Sequence, residues 1–202
     1  KKVAACVKCP LHASRTHPVP GEGNPDAKIV FVGEAPGESE DLSGRPFVGR
    51  AGQLLTKIIE AMGLKREDVF ICNILKSRPP ENRDPQPDEI AACKGYLDRQ
   101  IAIIKPRVIV TLGRYSMAKF FENQSISRIH GQPRKIGELV VFPMYHPAAA
   151  LHQQNLRAGQ ALGSRGLYVL HIRGSQFPRG IFPERLHDGV EHHRRAHRLD
   201  QE

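Results

Sequence analysis

Short apolar runs rich in β-branched residues recur along the chain. Three of them are residues 28–32 (KIVFV), 69–75 (VFICNIL) and 108–112 (VIVTL). Continuous runs of this kind are typical of strands that are buried on both faces of a sheet. A fourth run, residues 138–142 (ELVVF), follows a glycine at position 137. The pattern therefore predicts four strands.

Stretches with helical patterning separate these runs. The stretch at residues 88–104 follows Pro87 and ends before Pro106. Proline is common at the first position of a helix and just after its end, so these two prolines indicate the boundaries of a helix. The predicted helices span residues 51–62, 88–104 and 114–121. Strands that alternate with helices form right-handed βαβ units. We therefore expect an α/β fold of three layers, α/β/α, around a central, mostly parallel, four-stranded sheet.

Each predicted strand runs into a polar segment rich in glycine or proline. The segments are GEAPG, KSRPPENRDP, LGRYS and YHPAA, in chain order. Ligands of parallel α/β sheets bind outside the carboxyl ends of the strands, so these four segments predict a site at one edge. GEAPG lacks the spacing of a P-loop or a dinucleotide fingerprint. By itself it is typical of a plain strand-to-helix turn.

Composition restricts the class of protein. A chain of 202 residues with 40% hydrophobic residues can bury one substantial core. Neither an apolar run of membrane-spanning length nor a secretory leader is evident, so we expect a non-secreted chain with no membrane partner. The formal net charge of +9 favours a polyanionic partner, although a solvated cationic surface has the same composition.

Four separated segments together resemble one enzyme family. GEAPGESED, GRPFVGRAGQLL, NILKSRPPENRDPQPDE and MYHP are similar in order and spacing to the family 4 uracil-DNA glycosylases, the iron–sulfur type. The resemblance covers roughly residues 6–156. It implies the uracil-DNA glycosylase fold and a hydrolase of base excision repair that flips uracil out of DNA and cleaves its N-glycosidic bond. The alternative is a non-catalytic DNA- or nucleotide-binding module with an iron–sulfur cluster.

The resemblance assigns two residues to the recognition of the base. Phe47, in the loop GRPF, would stack on the uracil ring. Asn73, at the end of the second predicted strand, would bind the hydrogen-bonding edge of the base, since an amide offers both a donor and an acceptor. An asparagine within an apolar strand is difficult to bury without partners, which also favours a functional role.

Cleavage leaves negative charge on the departing base and positive character on the sugar. His146 matches the late His-Pro motif of the family and would donate to the uracil oxygen. Glu34 would orient water or stabilise the sugar cation, together with the backbone of Ala35, although a solvated or turn-capping glutamate is the alternative. Glu40 would lie beside C5 of uracil, and Asn82 matches a further residue of the family site.

The loop after the second strand is expected to contact DNA phosphates through Lys76, Arg78 and Arg83, unless it is an ordinary surface loop. The expected partner is uracil-containing DNA. The resemblance also predicts a monomer in the cytoplasm of a prokaryote, associated with the nucleoid by its function.

The cysteines predict a metal centre of unusual composition. Cys6 and Cys9 form a CxxC pair, and in the family this pair, Cys93 and a cysteine at the position of Ser77 hold a [4Fe–4S] cluster. The serine leaves three outcomes: an oxygen ligand, a three-iron or labile cluster, or a loop shift that brings in Cys72. We expect a cluster on the three cysteines with an abnormal fourth position. Zinc is the alternative metal, and a buried apolar role is the alternative for Cys72.

The resemblance ends near residue 157. We therefore predict a glycosylase-like domain with an N-terminal metal-cluster segment at residues 1–158, and a poorly ordered tail at residues 159–202. A histidine-rich, metal-binding tail is the alternative for the second part.

Overall fold

The computed structural model describes residues 2–156, so the predicted tail at residues 159–202 lies outside the described residues. Strands and helices alternate along most of the chain. The strands are β1 (Glu22–Gly23), β2 (Ile29–Gly33), β3 (Phe70–Asn73), β4 (Val108–Leu112), β5 (Arg134–Ile136) and β6 (Leu139–Met144). The helices are α1 (Leu11–Ser14), α2 (Glu38–Ser43), α3 (Arg50–Ala61), α4 (Pro87–Ile104), α5 (Arg114–Ala118), α6 (Ile126–Ile129) and α7 (Pro147–Leu156).

The sheet has six strands in the order β1-β3-β2-β4-β6-β5, where the sequence predicts four. The four predicted strands form its parallel centre, as expected. The two additional strands pair antiparallel at the edges. Hydrophobic pattern could not reveal them, because β1 has two residues and β5 reads RKI with every residue exposed. The count of four is therefore corrected to six.

Helices cover both faces of the sheet, which gives the expected three layers. On one face, alternate residues of β2 such as Phe31 pack against Leu55 and Ile59 of α3. On the other face, Val30 and Val32 pack with Leu97 of α4. Each buried side chain of this size contributes roughly 1.5–3 kcal/mol through the hydrophobic effect. Because both faces of β2 are covered, its sequence is continuously apolar.

The order of the strands defines where a ligand fits. From β2 the chain passes to β3 on one side and then crosses to β4 on the other side. The direction of winding therefore reverses beside β2, and the loops that follow β2 and β4 diverge around a crevice at this edge. No helix among residues 2–156 is long and apolar enough to cross a membrane.

Four of the helices in residues 2–156 were not predicted from the sequence, namely α1, α2, α6 and α7. The acidic segment after GEAPG forms α2, which begins after Gly37 and ends at Gly44 in the left-handed conformation. Glu40 supports its start, since its carboxylate accepts a hydrogen bond from the Gly37 backbone N–H at 3.1 Å. The three acids of this helix lie in its first turn, where they interact favourably with the helix dipole. Hydrophobic periodicity cannot detect a helix of six residues.

Candidate active site

Gly33 and Asn73 lie opposite each other at the carboxyl ends of β2 and β3. A Cβ atom added at Gly33 would collide with Asn73 Oδ1 and would lie 2.5 Å from Phe47 Cζ. Only glycine therefore allows the amide and the aromatic ring to converge here. Asn73 is 1% exposed, and its Oδ1 is buried without a hydrogen-bond partner among the described residues. Such an acceptor costs about 1–3 kcal/mol unless a ligand supplies a donor.

Phe47 is held in a strained loop. Its φ is +52°, in the left-handed region that residues other than glycine seldom adopt. Its backbone packs so closely on Gly52 of α3 that a Cβ at position 52 would overlap the Phe47 carbonyl. The preceding residue is fixed too, because Arg66 Nη2 donates to the Pro46 carbonyl oxygen. The ring is consequently presented from a rigid support.

Glu40 organises the same loop. Its Oε1 accepts hydrogen bonds from the backbone N–H groups of Val48 and Gly49, both at 2.8 Å, while Oε2 accepts from Gly37. One carboxylate thereby joins the turn after β2 to the segment that follows Phe47. The assignment of Glu40 to the C5 edge of uracil stays a prediction. The hydrogen bonds by which its carboxylate joins the two backbone segments were not predicted from the sequence. The signal for them was an acid three residues after a glycine at the start of a helix.

His146 lies between the end of β6 and the start of α7. Its ring stacks beside Phe47 with a centroid separation of 5.7 Å and an interplanar angle of 30°. The backbone N–H of Ala148 donates to His146 Nδ1 at 3.2 Å. Because Nδ1 is the acceptor, the proton of a neutral ring resides on Nε2, which is left as a donor. A Cβ at Gly113 would lie 3.3 Å from His146 Cβ, so the end of β4 also approaches the ring.

Burial lowers the pKa of His146 to about 4, although the negative charge of Glu40 acts in the opposite direction. The effect of desolvation on the pKa of His146 is larger than that of Glu40. The imidazole ring is enclosed by the pocket, whereas the Glu40 carboxylate already accepts hydrogen bonds from three backbone N–H groups. At pH 7 the imidazole is therefore neutral. The sequence left the charge state of this donor undetermined, and the structure decides it.

Glu34 is half-buried in the turn after β2. Burial raises its pKa, Asp84 raises it further, and Arg114 lowers it. Sequence reasoning missed Asp84 and Arg114, which form an exposed ion pair with 2.5 Å between Oδ2 and Nη2. Arg114 belongs to the segment LGRYS, whose position after a strand was the available signal. The site thus brings together a carboxyl group of raised pKa, a neutral histidine, an aromatic ring and an unpartnered amide oxygen.

Comparison with known proteins agrees with this geometry. A family model described as the uracil DNA glycosylase superfamily matches residues 20–162. The type-4 uracil-DNA glycosylase of Sulfurisphaera tokodaii is 57% identical over 167 residues, which cover 78% of this chain and 76% of the relative. This chain belongs to the type-4 family of the uracil-DNA glycosylase superfamily. The type-4 enzyme of Archaeoglobus fulgidus is 50% identical, with 78% and 83% covered. A type-5 relative from Thermus thermophilus is 29% identical, with 76% and 77% covered.

Two of the remaining residues that the type-4 resemblance assigned to uracil lie in the segments that follow β2 and β3. Ala35 is half-buried next to Glu34 and packs against the core beneath the sheet. Asn82 is exposed on the loop after β3 with a φ of +55°. Its Oδ1 accepts a hydrogen bond from Arg78 Nε at 2.8 Å, and Arg78 also faces Glu38. The structure thus places Asn82 and Arg78 in contact on the loop after β3.

Lys76 is not a surface residue, so the expected contact with DNA phosphates is wrong. Its side chain is 1% exposed, and Nζ donates to the Asn73 carbonyl oxygen at 2.8 Å and to Gln100 Oε1 at 2.7 Å. Burial lowers its pKa. Arg83 is exposed but is bound to the buried Glu89 at 2.6 Å. The side chains of Lys76 and Arg83 therefore stabilise the conformation of the loop through bonds within the protein.

The donors of the expected cluster are only partly assembled. Cys93 lies within electrostatic range of Cys9 and Cys6. Among residues 2–156, however, no group of three or more His, Cys, Asp or Glu side chains is arranged to hold a metal ion. Ser77, in the remaining position, is 3% exposed and its Oγ accepts a hydrogen bond from an arginine at 3.0 Å. Cys72 is fully buried in β3, so the proposed loop shift would break the sheet. The donor set does not fit a [4Fe–4S] cluster.

Proposed function

We propose that this member of the type-4 family is a uracil-DNA glycosylase, a hydrolase that flips uracil out of DNA and cleaves its N-glycosidic bond, leaving an abasic site for base excision repair. One observation carries the proposal. The buried, unpartnered Oδ1 of Asn73 lies beside the ring of Phe47, in a pocket that also holds His146. An isolated amide acceptor next to an aromatic face is what a flat, hydrogen-bonding base requires.

The chain's own residues divide the work of recognition. Phe47 supplies a face for stacking, which in nucleic-acid complexes contributes about 1–3 kcal/mol per base. Asn73 accepts from the ring N–H of uracil through Oδ1 and donates from its amide nitrogen to the neighbouring carbonyl oxygen. Cytosine presents an acceptor where uracil presents that N–H, so Asn73 Oδ1 rejects it. Glu40 and Asn82 remain predictions for contacts around the edge of the base.

Cleavage is assigned to two groups on opposite sides of the bond. His146 donates from Nε2–H to the oxygen of the departing base, and it does so as a neutral imidazole because burial lowers its pKa to about 4. Glu34 in its ionised form stabilises the positive sugar or orients water, with the backbone of Ala35 beside it. Its raised pKa means that it becomes protonated at a higher pH than an ordinary glutamate. Protein dipoles fixed before the reaction stabilise such charges without reorganisation.

Uracil-containing DNA is the proposed partner, and the net charge of +9 supports its attraction to a polyanion. Arg78 is the cation of the loop after β3 that we retain for contact with phosphates. We infer a cytoplasmic, prokaryotic enzyme that acts as a monomer. The donor set of this chain does not fit the iron–sulfur cluster that the family resemblance implies, and no step of the reaction is assigned to a cluster.

The test uses an oligonucleotide with one uracil, followed by alkali treatment, which breaks the strand at abasic sites. The expected result is cleavage at uracil and none at cytosine or thymine. Binding of the oligonucleotide without abasic sites would support the non-catalytic module instead. His146→Ala is expected to lower kcat by about 100-fold or more. The exposed Gln124→Ala variant is the control and is expected to match the wild type.

Asn73→Ala separates a functional role from a structural one. Because Asn73 Oδ1 is a buried acceptor without a partner, its removal is expected to abolish most of the excision activity while leaving the melting temperature unchanged or raised. Phe47→Ala is expected to lower activity roughly ten- to hundredfold. Near-wild-type rates in all three variants would contradict the assignment of the pocket.

A further inference from the structure

The N-terminal segment, defined here as residues 2–20, is docked on the domain by ordinary packing. Leu11 and Val19 are 2% and 0% exposed. Leu11 joins the core cluster beneath the sheet that contains Leu97 of α4. The backbone N–H of Val19 donates to the Lys76 carbonyl oxygen at 2.8 Å. Burial of two large aliphatic side chains gives the segment a hydrophobic anchor that needs no metal.

Arg15 connects this segment to the loop after β3. Its Nη1 donates to Ser77 Oγ at 3.0 Å, and its Nη2 donates to the Ala4 carbonyl oxygen at 2.9 Å. One guanidinium therefore bridges the beginning of the segment and the loop, which are more than sixty residues apart in sequence. A planar guanidinium suits such a bridge because its donors point in fixed directions.

Tyr96 on α4 holds the beginning of the segment from another side. Its hydroxyl donates to the Lys2 carbonyl oxygen at 3.4 Å. The Lys8 ammonium lies 5.3 Å from the centroid of its ring, within range of a cation–π interaction. Tyr96 also lies within electrostatic range of Cys6, Cys93 and Arg15.

Ser77 stands at the position where the family resemblance implies a cysteine ligand of the iron–sulfur cluster. Iron–sulfur clusters are held by thiolates, and a neutral hydroxyl oxygen is a much poorer ligand for them. Ser77 Oγ is already the acceptor for Arg15, so a cluster ligand at this position would have to displace that bond. The nearby thiols of Cys6, Cys9 and Cys93 leave a cluster one thiolate short.

We propose that the Arg15 bridge between Ser77 and Ala4 fastens the N-terminal segment of this chain in the place of an iron–sulfur cluster, and that the chain does not retain a full four-iron cluster. The inference concerns how the segment is attached. It does not depend on uracil excision, and its test does not measure excision.

The first experiment measures iron and acid-labile sulfide on full-length protein, purified anaerobically and reconstituted with iron and sulfide before desalting. Wild type is expected to retain far less than the roughly four irons of a complete cluster. Ser77→Cys supplies a thiol at the deficient position and is expected to retain iron and sulfide in cluster stoichiometry. Full loading of the wild type, or no gain in Ser77→Cys, would overturn the proposal.

The second experiment follows hydrogen–deuterium exchange of residues 3–19. Arg15→Gln removes both bridging hydrogen bonds and is expected to accelerate exchange in this segment by about tenfold or more, without change in β2 or β4. Arg99→Gln, on the exposed side of α4, is the control. Ser77→Ala removes only the acceptor and is expected to give a smaller acceleration. Wild-type exchange in both Arg15→Gln and Ser77→Ala, or acceleration of the wild type by a chelator, would refute the bridge.

Discussion

The charge state of His146 predicts a specific dependence of stability on pH. In the unfolded chain a histidine has a pKa near 6.5, whereas burial in the pocket lowers the pKa of His146 to about 4. As pH falls from about 6.5 towards 4, the unfolded chain binds a proton that the folded protein excludes. Titration of His146 therefore leaves the free energy of unfolding unchanged above about pH 6.5 and lowers it progressively as the pH falls below that value.

The size of the effect follows from the two pKa values. At pH 5 the unfolded imidazole is almost fully protonated, while the folded one is protonated in about one tenth of the molecules. The free energy of unfolding is then lower than at pH 8 by about 2 kcal/mol through His146 alone. For a domain of this size, that loss corresponds to a shift of about 1 M in the midpoint of urea denaturation.

His146→Gln isolates this contribution from those of the other titrating groups. Urea denaturation of the wild type and of the variant is measured at pH 8, 7, 6 and 5, and the difference between the two proteins is plotted against pH. We expect the variant to gain about 2 kcal/mol relative to the wild type between pH 8 and pH 5. The exposed His12→Gln variant is the control for loss of an imidazole. Parallel curves for the wild type and His146→Gln would refute the neutral, half-buried histidine.

Three further predictions concern the pocket and its supports. Burial raises the pKa of Glu34, so kcat/KM is expected to fall as pH decreases through that raised pKa, and Glu34→Gln should remove this acidic limb along with most of the activity. A Cβ at Gly52 overlaps the Phe47 carbonyl, and Gly52→Ala is expected to destabilise the fold by about 1–3 kcal/mol in thermal denaturation and to raise KM for the uracil oligonucleotide. Arg83→Ala leaves the buried Glu89 without its ion pair, and a lower midpoint of urea denaturation is expected, whereas an unchanged midpoint would show that the pair is dispensable.

The central fold could be read from the sequence because its elements carry strong local patterns. Strands β2 and β4 are covered on both faces and are therefore continuously apolar, while α3 and α4 have clear boundaries at glycine or proline. The edge strands β1 and β5 could not be read, because their position depends on hydrogen bonds to a neighbouring strand and not on buried side chains. The short helix α2 could not be read for a related reason, since its six residues contain a single apolar side chain, Leu42, and therefore show no periodicity.

For the site, the sequence by itself determined which residue types stand at the ends of the parallel strands, and the motifs around Phe47, Asn73 and His146 carried the family resemblance. Only the tertiary structure decided how each one is used. Lys76 looks like a phosphate ligand in sequence but is buried, and its ammonium donates to the Asn73 carbonyl oxygen and to Gln100 of α4. The neutral state of His146 and the acceptor left open on Asn73 depend on desolvation and on partners from other strands. Burial and hydrogen bonding between distant segments set these properties, and no local pattern encodes them.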